Sequence, residues 1–268
     1  MPNSMTIVLD MSFLRATRSD KIQELCSEHC VLLIPTLLAE LLMTEEGIRT
    51  TCFEKLSQTV NSVIENVGGL MRYEVEHRTS CQPVCNRHTP QPFPVSFHTL
   101  SEGNFPSQLQ SIIEIYKREL KDKVEEHKDA AASVIGWFLE LADYSPGQDE
   151  KIKELMKKVS EDDDLIRYRY NQIKPPEAPE GEILSRDWAL FRRTQAHLLY
   201  AIEYIRKYGP DPNVISGKLE NEILDIDYCI TGSLAGCLAS KDKKIREIFR
   251  IMCPNGRLLP DQLSCDKK

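Results

Sequence analysis

The sequence contains no apolar run of the roughly 20 residues that a membrane-spanning helix needs. Its longest apolar run, Val31 to Met43, is interrupted by Pro35 and Glu40. The first residues, MPNSMTIVLD, also lack the basic stretch, the apolar stretch and the small-residue cleavage site of a secretory signal. We therefore expect a cytoplasmic protein with no membrane partner.

Other absences narrow the class of protein further. No glycine-rich turn follows the first apolar strand, which argues against a dinucleotide-binding enzyme, and no internal repeat is present. The nine cysteines form an odd, scattered set, which predicts reduced thiols packed as small apolar side chains. A formal charge of −7 argues against a protein that coats nucleic acid without specificity. A local basic groove is still compatible with this net charge.

Short apolar strands that each lead to an acid are the informative feature of this chain. Three such pairs occur: Thr6 to Leu9 before Asp10, Val31 to Ile34 before Glu40, and Cys237 to Ser240 before Asp242. Strands this short and apolar fit the interior of a parallel sheet whose two faces are covered by helices. We therefore predict an α/β fold with three layers and a central, mostly parallel sheet.

A fourth acid lies on the helix that precedes the last of these strands. Asp225 is the first choice for this position, and Asp227 is the competing candidate. The carboxyl ends of parallel strands meet at one edge of a sheet, so the four acids are expected to converge there. Carboxylates that converge repel one another and are costly to desolvate, and a divalent cation removes that cost. Ligands made only of oxygen favour Mg²⁺ or Mn²⁺.

This pattern resembles the PIN-domain nucleases. The matching motifs are Ile7-Val8-Leu9-Asp10-Met11-Ser12, Leu33-Ile34-Pro35 followed by Glu40, the Asp-Ile-Asp-Tyr stretch at Asp225, and the strand that runs into Ser240-Lys241-Asp242. The family often has Thr where this chain has Ser240, so the hydroxyl is retained. The resemblance implies a Mg²⁺- or Mn²⁺-dependent endoribonuclease that cuts RNA, with single-stranded RNA favoured, through a metal-activated water.

The resemblance also implies roles for individual residues. The catalytic acids would be Asp10, Glu40, Asp225 and Asp242, with Asp227 as a further candidate metal ligand. Contacts to the substrate are expected from Ser12, Ser240, Lys241 and Lys243. The segment from Lys241 to Arg257 carries six cations and two acids, which suits either phosphate binding or an ordinary solvated helix face.

Two other functions compete with the nuclease. A PIN-like fold without activity could serve as an RNA-binding or protein-interaction scaffold, but a scaffold has no use for four mutually repelling acids. A phosphotransferase with an aspartyl nucleophile at Asp10 typically has a second Asp two residues later, where this chain has Ser12.

The middle of the chain has no counterpart in the resemblance. We predict a helix from Cys52 to Val67 ended by Gly68-Gly69, a strand from Leu70 to Val75, and a loop from His77 to Gly103. The loop contains possible zinc ligands whose spacing matches no standard pattern, so an ordinary loop is favoured: His77, Cys81, Cys85 and His88.

Helices are predicted beyond this loop. Two should lie between Pro106 and Asp143 and another from Glu150 to Val159, and the acidic run at Glu161 to Asp164 should begin the next helix. A proline-rich linker, Lys174 to Gly181, then leads to a helix from Arg186 to Tyr208 that is capped by Ser185. One face of that helix carries cations that could be solvated or could contact phosphate: Arg186, Arg192, Arg193, Arg206 and Lys207.

These elements predict a division of the chain into a discontinuous domain and an insertion. Residues 1–76 and 183–268 would form the PIN-like domain, and residues 77–182 would form a loop and an all-helical insertion. The insertion would select the substrate, bind a protein partner or a second copy of the chain, or act as a lid.

Overall fold

A computed structural model describes residues 4–59, 62–84, 95–103, 105–138, 141, 144, 149–209 and 219–260. The strands within these ranges are β1 (Thr6–Leu9), β2 (Cys30–Leu33), β3 (Ser62–Val63), β4 (Cys237–Ala239) and β5 (Arg257–Leu259). The helices are α1 (Met11–Ala16), α2 (Ser19–Glu28), α3 (Pro35–Met43), α4 (Glu46–Ser57), α5 (Val67–His77), α6 (Phe97–Ser101), α7 (Ser107–Trp137), α8 (Asp149–Glu161), α9 (Asp163–Ile173), α10 (Ala189–Tyr208), α11 (Leu219–Ala235) and α12 (Lys243–Met252).

The five strands form one sheet in the order β3-β2-β1-β4-β5, and every neighbouring pair is parallel. β1 lies at its centre, with Val8 paired to Leu32 on one side and to Leu238 on the other. The three consecutive residues from Ile7 to Leu9 are fully buried. Since successive side chains of a strand point to opposite faces, both faces of β1 are covered.

The predicted α/β class and parallel strands are confirmed. β1 has the predicted bounds, β2 begins and ends one residue earlier than expected, and β4 ends at Ala239. The turn from α11 into β4 passes through Gly236, whose φ of 76° is a left-handed conformation that glycine adopts without strain.

The prediction of a helix from Cys52 to Val67 and a strand from Leu70 to Val75 is confirmed only from Cys52 to Ser57. α4 ends at Ser57, the short strand β3 follows, and Leu70 to Val75 is helical rather than extended because it lies inside α5. Gly68 and Gly69 lie in the first turn of α5, where the side chain of Asn66 accepts a hydrogen bond from the Gly69 amide. Tyr73 and Val75 alternate with charged residues, which is the pattern of a half-buried strand. The helical period is set by Leu70 and Glu74, which are both buried, and a buried glutamate is not part of an apolar pattern.

A single helix replaces the two that were predicted between Pro106 and Asp143. α7 runs for 31 residues from Ser107 to Trp137 without a break. No proline or glycine occurs from Ser107 to Ile135, so nothing in the local sequence ends the helix earlier.

The helix boundaries after α7 are close to prediction. Asp162 caps α9 by accepting from the Leu165 amide, which supports the helix-start interpretation of the acidic run. α10 begins at Ala189 rather than Arg186, and Ser185 is not its cap. On its cationic face Arg192 is buried and donates to backbone carbonyls, so its role is structural.

The segment predicted as an insertion shares one hydrophobic core with the outer segments. Buried residues from β1, α7, α8, α9, α10 and α12 all belong to the same cluster. α10 packs against α7, α8 and α9, and α5 crosses the predicted boundary at residue 76. Within the described ranges, none of the helices has the length and apolar character needed to cross a membrane. The seven cysteines described are free thiols, as predicted.

Glu74 connects this core through its carboxylate. The carboxylate is fully buried and accepts hydrogen bonds from the amides of Cys81, Ala189 and Leu190 at 3.0, 2.7 and 3.0 Å. Ala189 and Leu190 are the first residues of α10, whose amides have no partner within the helix. Glu74 therefore fixes the start of α10 to α5.

Replacing Glu74 with alanine should destabilise the fold. Three buried amides would lose their acceptor, so we expect the free energy of unfolding to fall by about 3 kcal/mol. Urea denaturation followed by circular dichroism measures this change. Glu76→Ala on the exposed face of the same helix is the control, and equal stability of the two variants would contradict the assignment.

Candidate active site

Asp10 lies at the carboxyl end of the central strand and caps α1. Its side chain is 1% exposed, and Oδ1 accepts from the Phe13 amide at 2.7 Å. Its own amide donates to the Ala239 carbonyl at 3.0 Å, which extends the pairing of β1 with β4 to the edge of the sheet. Burial raises the pKa of Asp10, hydrogen bonds oppose this effect, and the charge of Asp242 raises the pKa further.

Ser12 in α1 and Ser240, the residue after β4, hold the Asp10 carboxylate from two sides. The Ser12 hydroxyl donates to Asp10 at 2.8 Å from Oδ1 and 2.9 Å from Oδ2, and the Ser240 hydroxyl donates to Oδ2. The Ser12 oxygen also accepts from the amides of Lys241 and Asp242 at 2.8 and 3.0 Å. The two serines therefore tie the end of β1 to the end of β4 and orient Asp10.

Asp242 lies on the exposed side of this edge and caps α12. Its Oδ1 accepts from the amides of Lys244 and Ile245 at 2.8 and 3.0 Å. A helix cap is a sufficient structural reason for an aspartate at this position. The electrostatic effect of Asp242 nevertheless reaches both Asp10 and Asp225, since it raises the pKa of each.

Glu40 approaches the same edge from α3. Its Oε2 accepts a hydrogen bond from the hydroxyl of Tyr228 on α11. Burial raises the pKa of Glu40 to about 7, and repulsion from Asp10 and Asp227 contributes to the rise, while the Tyr228 hydroxyl lowers it. Glu40 thus titrates near neutral pH.

Asp225 comes from α11, one turn before Tyr228. Burial raises its pKa to about 8, repulsion from Asp242, Glu40 and Asp10 adds to this effect, and Lys244 counteracts it. The Lys244 ammonium lies 4.0 Å from Asp225 Oδ2 and 3.4 Å from Glu222 Oε2. Asp225 is therefore the acid that experiences the charges of the other three most directly.

Asp227 has different partners. Its Oδ2 accepts from Thr36 Oγ1 at 2.7 Å and lies 3.0 Å from the Lys123 ammonium of α7. These contacts give Asp227 a role in joining α3, α7 and α11. Its charge still contributes to the raised pKa of Glu40, so it borders the site.

The four predicted acids come from four parts of the chain. Asp225 interacts electrostatically with Asp10, Glu40 and Asp242, and Asp10 interacts with Glu40 and Asp242. Among the residues that the structure describes, however, no three histidine, cysteine, aspartate or glutamate side chains stand as a preformed metal site. The acids have protein partners instead: serine hydroxyls for Asp10, Tyr228 for Glu40 and helix amides for Asp242. A cation would have to compete with these donors.

The cations near the site divide into structural and exposed groups. Arg246 is buried and donates to the carbonyls of Ser240, Leu259 and Pro260, so it fixes the chain after β4 and β5. Lys241 Nζ donates to the Ala16 carbonyl at 3.0 Å, and Lys243 is exposed. The cationic excess after Lys241 is thus smaller at the surface than its sequence indicates.

Three contributors to the site were not predicted from the sequence. Tyr228 follows Asp225 by three residues and therefore lies on the same helix face, a signal that the sequence contains. Lys244 lies within the cationic segment. Lys123 gives no local signal, because its contact with Asp227 depends on how α7 packs.

The possible zinc ligands are only partly described. Cys85 and His88 lie outside the described residues. Cys81 is buried in the core, and His77 Nδ1 lies 2.9 Å from the Tyr73 carbonyl oxygen.

Comparison with known proteins yields no match: no protein-family model, curated protein or solved structure matches this chain. The function must therefore be argued from the site itself.

Asp225→Asn should stabilise the metal-free protein at alkaline pH. The raised pKa means that the folded state keeps a proton that the unfolded chain loses between about pH 4 and 8, so this group's contribution to stability falls as the pH rises through that window. We expect the variant to exceed wild type by roughly 2 to 4 kcal/mol at pH 8 and to approach it at pH 4.

Denaturation in chelator at the two pH values measures this difference. Asp164→Asn is the control, because the Asp164 side chain is 91% exposed. If both variants responded alike to pH, Asp225 would not carry the electrostatic cost assigned to it.

Proposed function

We propose that this protein is a Mg²⁺- or Mn²⁺-dependent ribonuclease with a PIN-like, three-layer architecture. The observation that carries the proposal is the convergence of Asp10, Glu40, Asp225 and Asp242 at the carboxyl edge of a parallel sheet, where ligand sites of such sheets lie. Burial, with a smaller contribution from neighbouring carboxylates, raises the pKa of Asp10, Glu40 and Asp225. Raised carboxyl pKa values at a common edge are typical of functional sites.

The donor set fits a hard divalent cation. Asp10, Glu40 and Asp225 offer only carboxylate oxygens, which suit Mg²⁺ and Mn²⁺. Asp242 and Asp227 border these three and have capping and bridging roles of their own. When bound, such an ion would supply a water of lowered pKa and neutralise charge on the scissile phosphate.

The remaining parts of the site position these acids. Ser12 and Ser240 fix the orientation of Asp10, and Tyr228 fixes that of Glu40. Lys244 offsets the charge of Asp225, which limits the repulsion when no cation is present. The hydroxyls of Ser12 and Ser240 already bond to Asp10 and to backbone amides, so we assign them a positioning role as well as the substrate contact predicted from the sequence.

Metal-dependent cleavage of RNA is the direct test. Purified protein should cleave labelled single-stranded RNA with Mn²⁺ or Mg²⁺ and not with chelator. Asp10→Asn should lower the rate by about 100-fold or more, and Ser12→Ala by about tenfold, since residues that orient a ligand contribute less than the ligand. Asp164→Asn should cleave like wild type. Absence of cleavage on RNA by wild-type protein would favour a scaffold without activity.

Cation binding can be measured without cleavage. Because an ion that binds only the folded state stabilises it, the melting temperature of wild type should rise with Mn²⁺ concentration, corresponding to about 2.7 kcal/mol at one hundred times the dissociation constant. The rise should be smaller for Asp10→Asn at every concentration. Equal rises in wild type and variant would remove Asp10 from the metal site.

A further inference from the structure

A groove of about 520 Å³ lies between α7, the end of α3 and α11. Met43, at the end of α3, is one turn beyond Glu40, and Leu224 of α11 is adjacent to Asp225. The groove is therefore lined by the two helices, α3 and α11, that also carry Glu40 and Asp225.

The wall that α7 contributes to this groove is cationic. Lys117, Arg118 and Lys121 line it and are exposed. The acid in the groove, Glu114, lies 3.2 Å from the Lys117 ammonium. Met43, Leu120 and Leu224 form its apolar part. The groove thus combines an excess of positive charge with an apolar surface in a chain whose formal charge is −7.

A solvated helix face is the simplest alternative explanation. α8 shows what such a face looks like in this protein, since its four lysines are matched by four acids: Lys151, Lys153, Lys157 and Lys158 with Asp149, Glu150, Glu154 and Glu161. Residues 107–125 of α7 are balanced in the same way, with four cations and four acids, but three cations and one acid line the groove. The excess of positive charge is therefore a feature of the groove lining and not of the helix as a whole.

The placement of α7 relative to the acids is fixed by its packing. α7 contacts α3, α10 and α11, and Lys123 Nζ donates to the buried Asp227 at 3.0 Å. The cations of the groove are therefore held next to the acid site by a charged contact and by the core. A helix of the middle segment thus adds positive charge for a phosphate backbone to the few cations, Lys241, Lys243 and Lys244, that lie near the acids.

We propose that Lys117, Arg118 and Lys121 bind the backbone of single-stranded RNA and guide it to the acid site. A cationic groove with an apolar surface is how proteins hold single strands without reading their sequence. This inference rests on the proposed ribonuclease function and assigns the substrate path to α7.

The test compares two triple variants with the same change in charge. Lys117→Gln/Arg118→Gln/Lys121→Gln removes the groove cations, and Lys151→Gln/Lys153→Gln/Lys157→Gln removes three exposed lysines of α8. Binding to labelled single-stranded RNA is measured by fluorescence anisotropy in chelator over a range of salt concentrations, and cleavage is measured separately with Mn²⁺. All six side chains are exposed, so both variants should keep the wild-type circular dichroism spectrum and melting temperature.

We expect the groove variant to bind single-stranded RNA about tenfold or more weakly than wild type at low salt. The slope of the logarithm of the binding constant against the logarithm of the salt concentration should fall in magnitude by about 2, because each of the three lost phosphate contacts contributes roughly 0.7. Its kcat/KM should fall with binding, while the α8 variant stays within about twofold of wild type.

The outcomes separate this inference from the proposed function. Cleavage by wild type with equal RNA affinity of the two triple variants would overturn the groove assignment and leave the nuclease intact. Selective loss of binding in the groove variant, with no cleavage by wild type, would support the groove and reject the nuclease. Absence of RNA binding by wild type would overturn both.

Discussion

Parallel pairing of β1 with β2 on one side and β4 on the other is the constraint on which the site depends. This pairing brings the residues that follow the three strands to the same edge of the sheet. The hydrogen bond from the Asp10 amide to the Ala239 carbonyl continues the pairing of β1 with β4 as far as Asp10. α3 and α12 begin at this edge, and α11 leads back into β4. Glu40, Asp225 and Asp242 therefore meet Asp10 because of the sheet topology and not because of sequence proximity.

Convergence of acids opposes folding, and the surrounding residues reduce that cost. Ser12, Ser240 and Tyr228 donate hydroxyl hydrogens to the carboxylates, and Lys244 provides the nearest positive charge to Asp225. Burial still dominates the pKa values of Glu40 and Asp225, which are raised to about 7 and about 8. The buried acids therefore still lower the stability of the fold after this compensation. A loss of stability of this kind is typical of functional sites. In our proposal a divalent cation removes the rest of that cost.

The middle of the chain is integrated into the fold rather than attached to it. Glu74 ties α5 to the first turn of α10, and α10 packs against three helices of the middle segment. α7 reaches the acid edge through Lys123 and Asp227. This packing explains why Asp227, an acid next to the site in sequence, is used to dock a helix.

The sequence by itself determined three of the five strands, β1, β2 and β4, and the acids that follow them, but it did not indicate β3 or β5. Thr6 to Leu9 and Cys237 to Ser240 could be predicted because short, mostly apolar runs rich in β-branched or small residues fit the inside of a parallel sheet. Acids placed directly after such runs, as Asp10 and Asp242 are, then share an edge.

Only the tertiary structure decided that residues 67–77 are helical, since the burial of Glu74 depends on amides more than 100 residues away. It also gave Asp225 and Asp227 different contacts, because Thr36 and Lys123 reach Asp227 from distant segments. Local patterns record which side chains prefer burial, whereas the partner of a buried charge is fixed by packing between segments that are far apart in the chain.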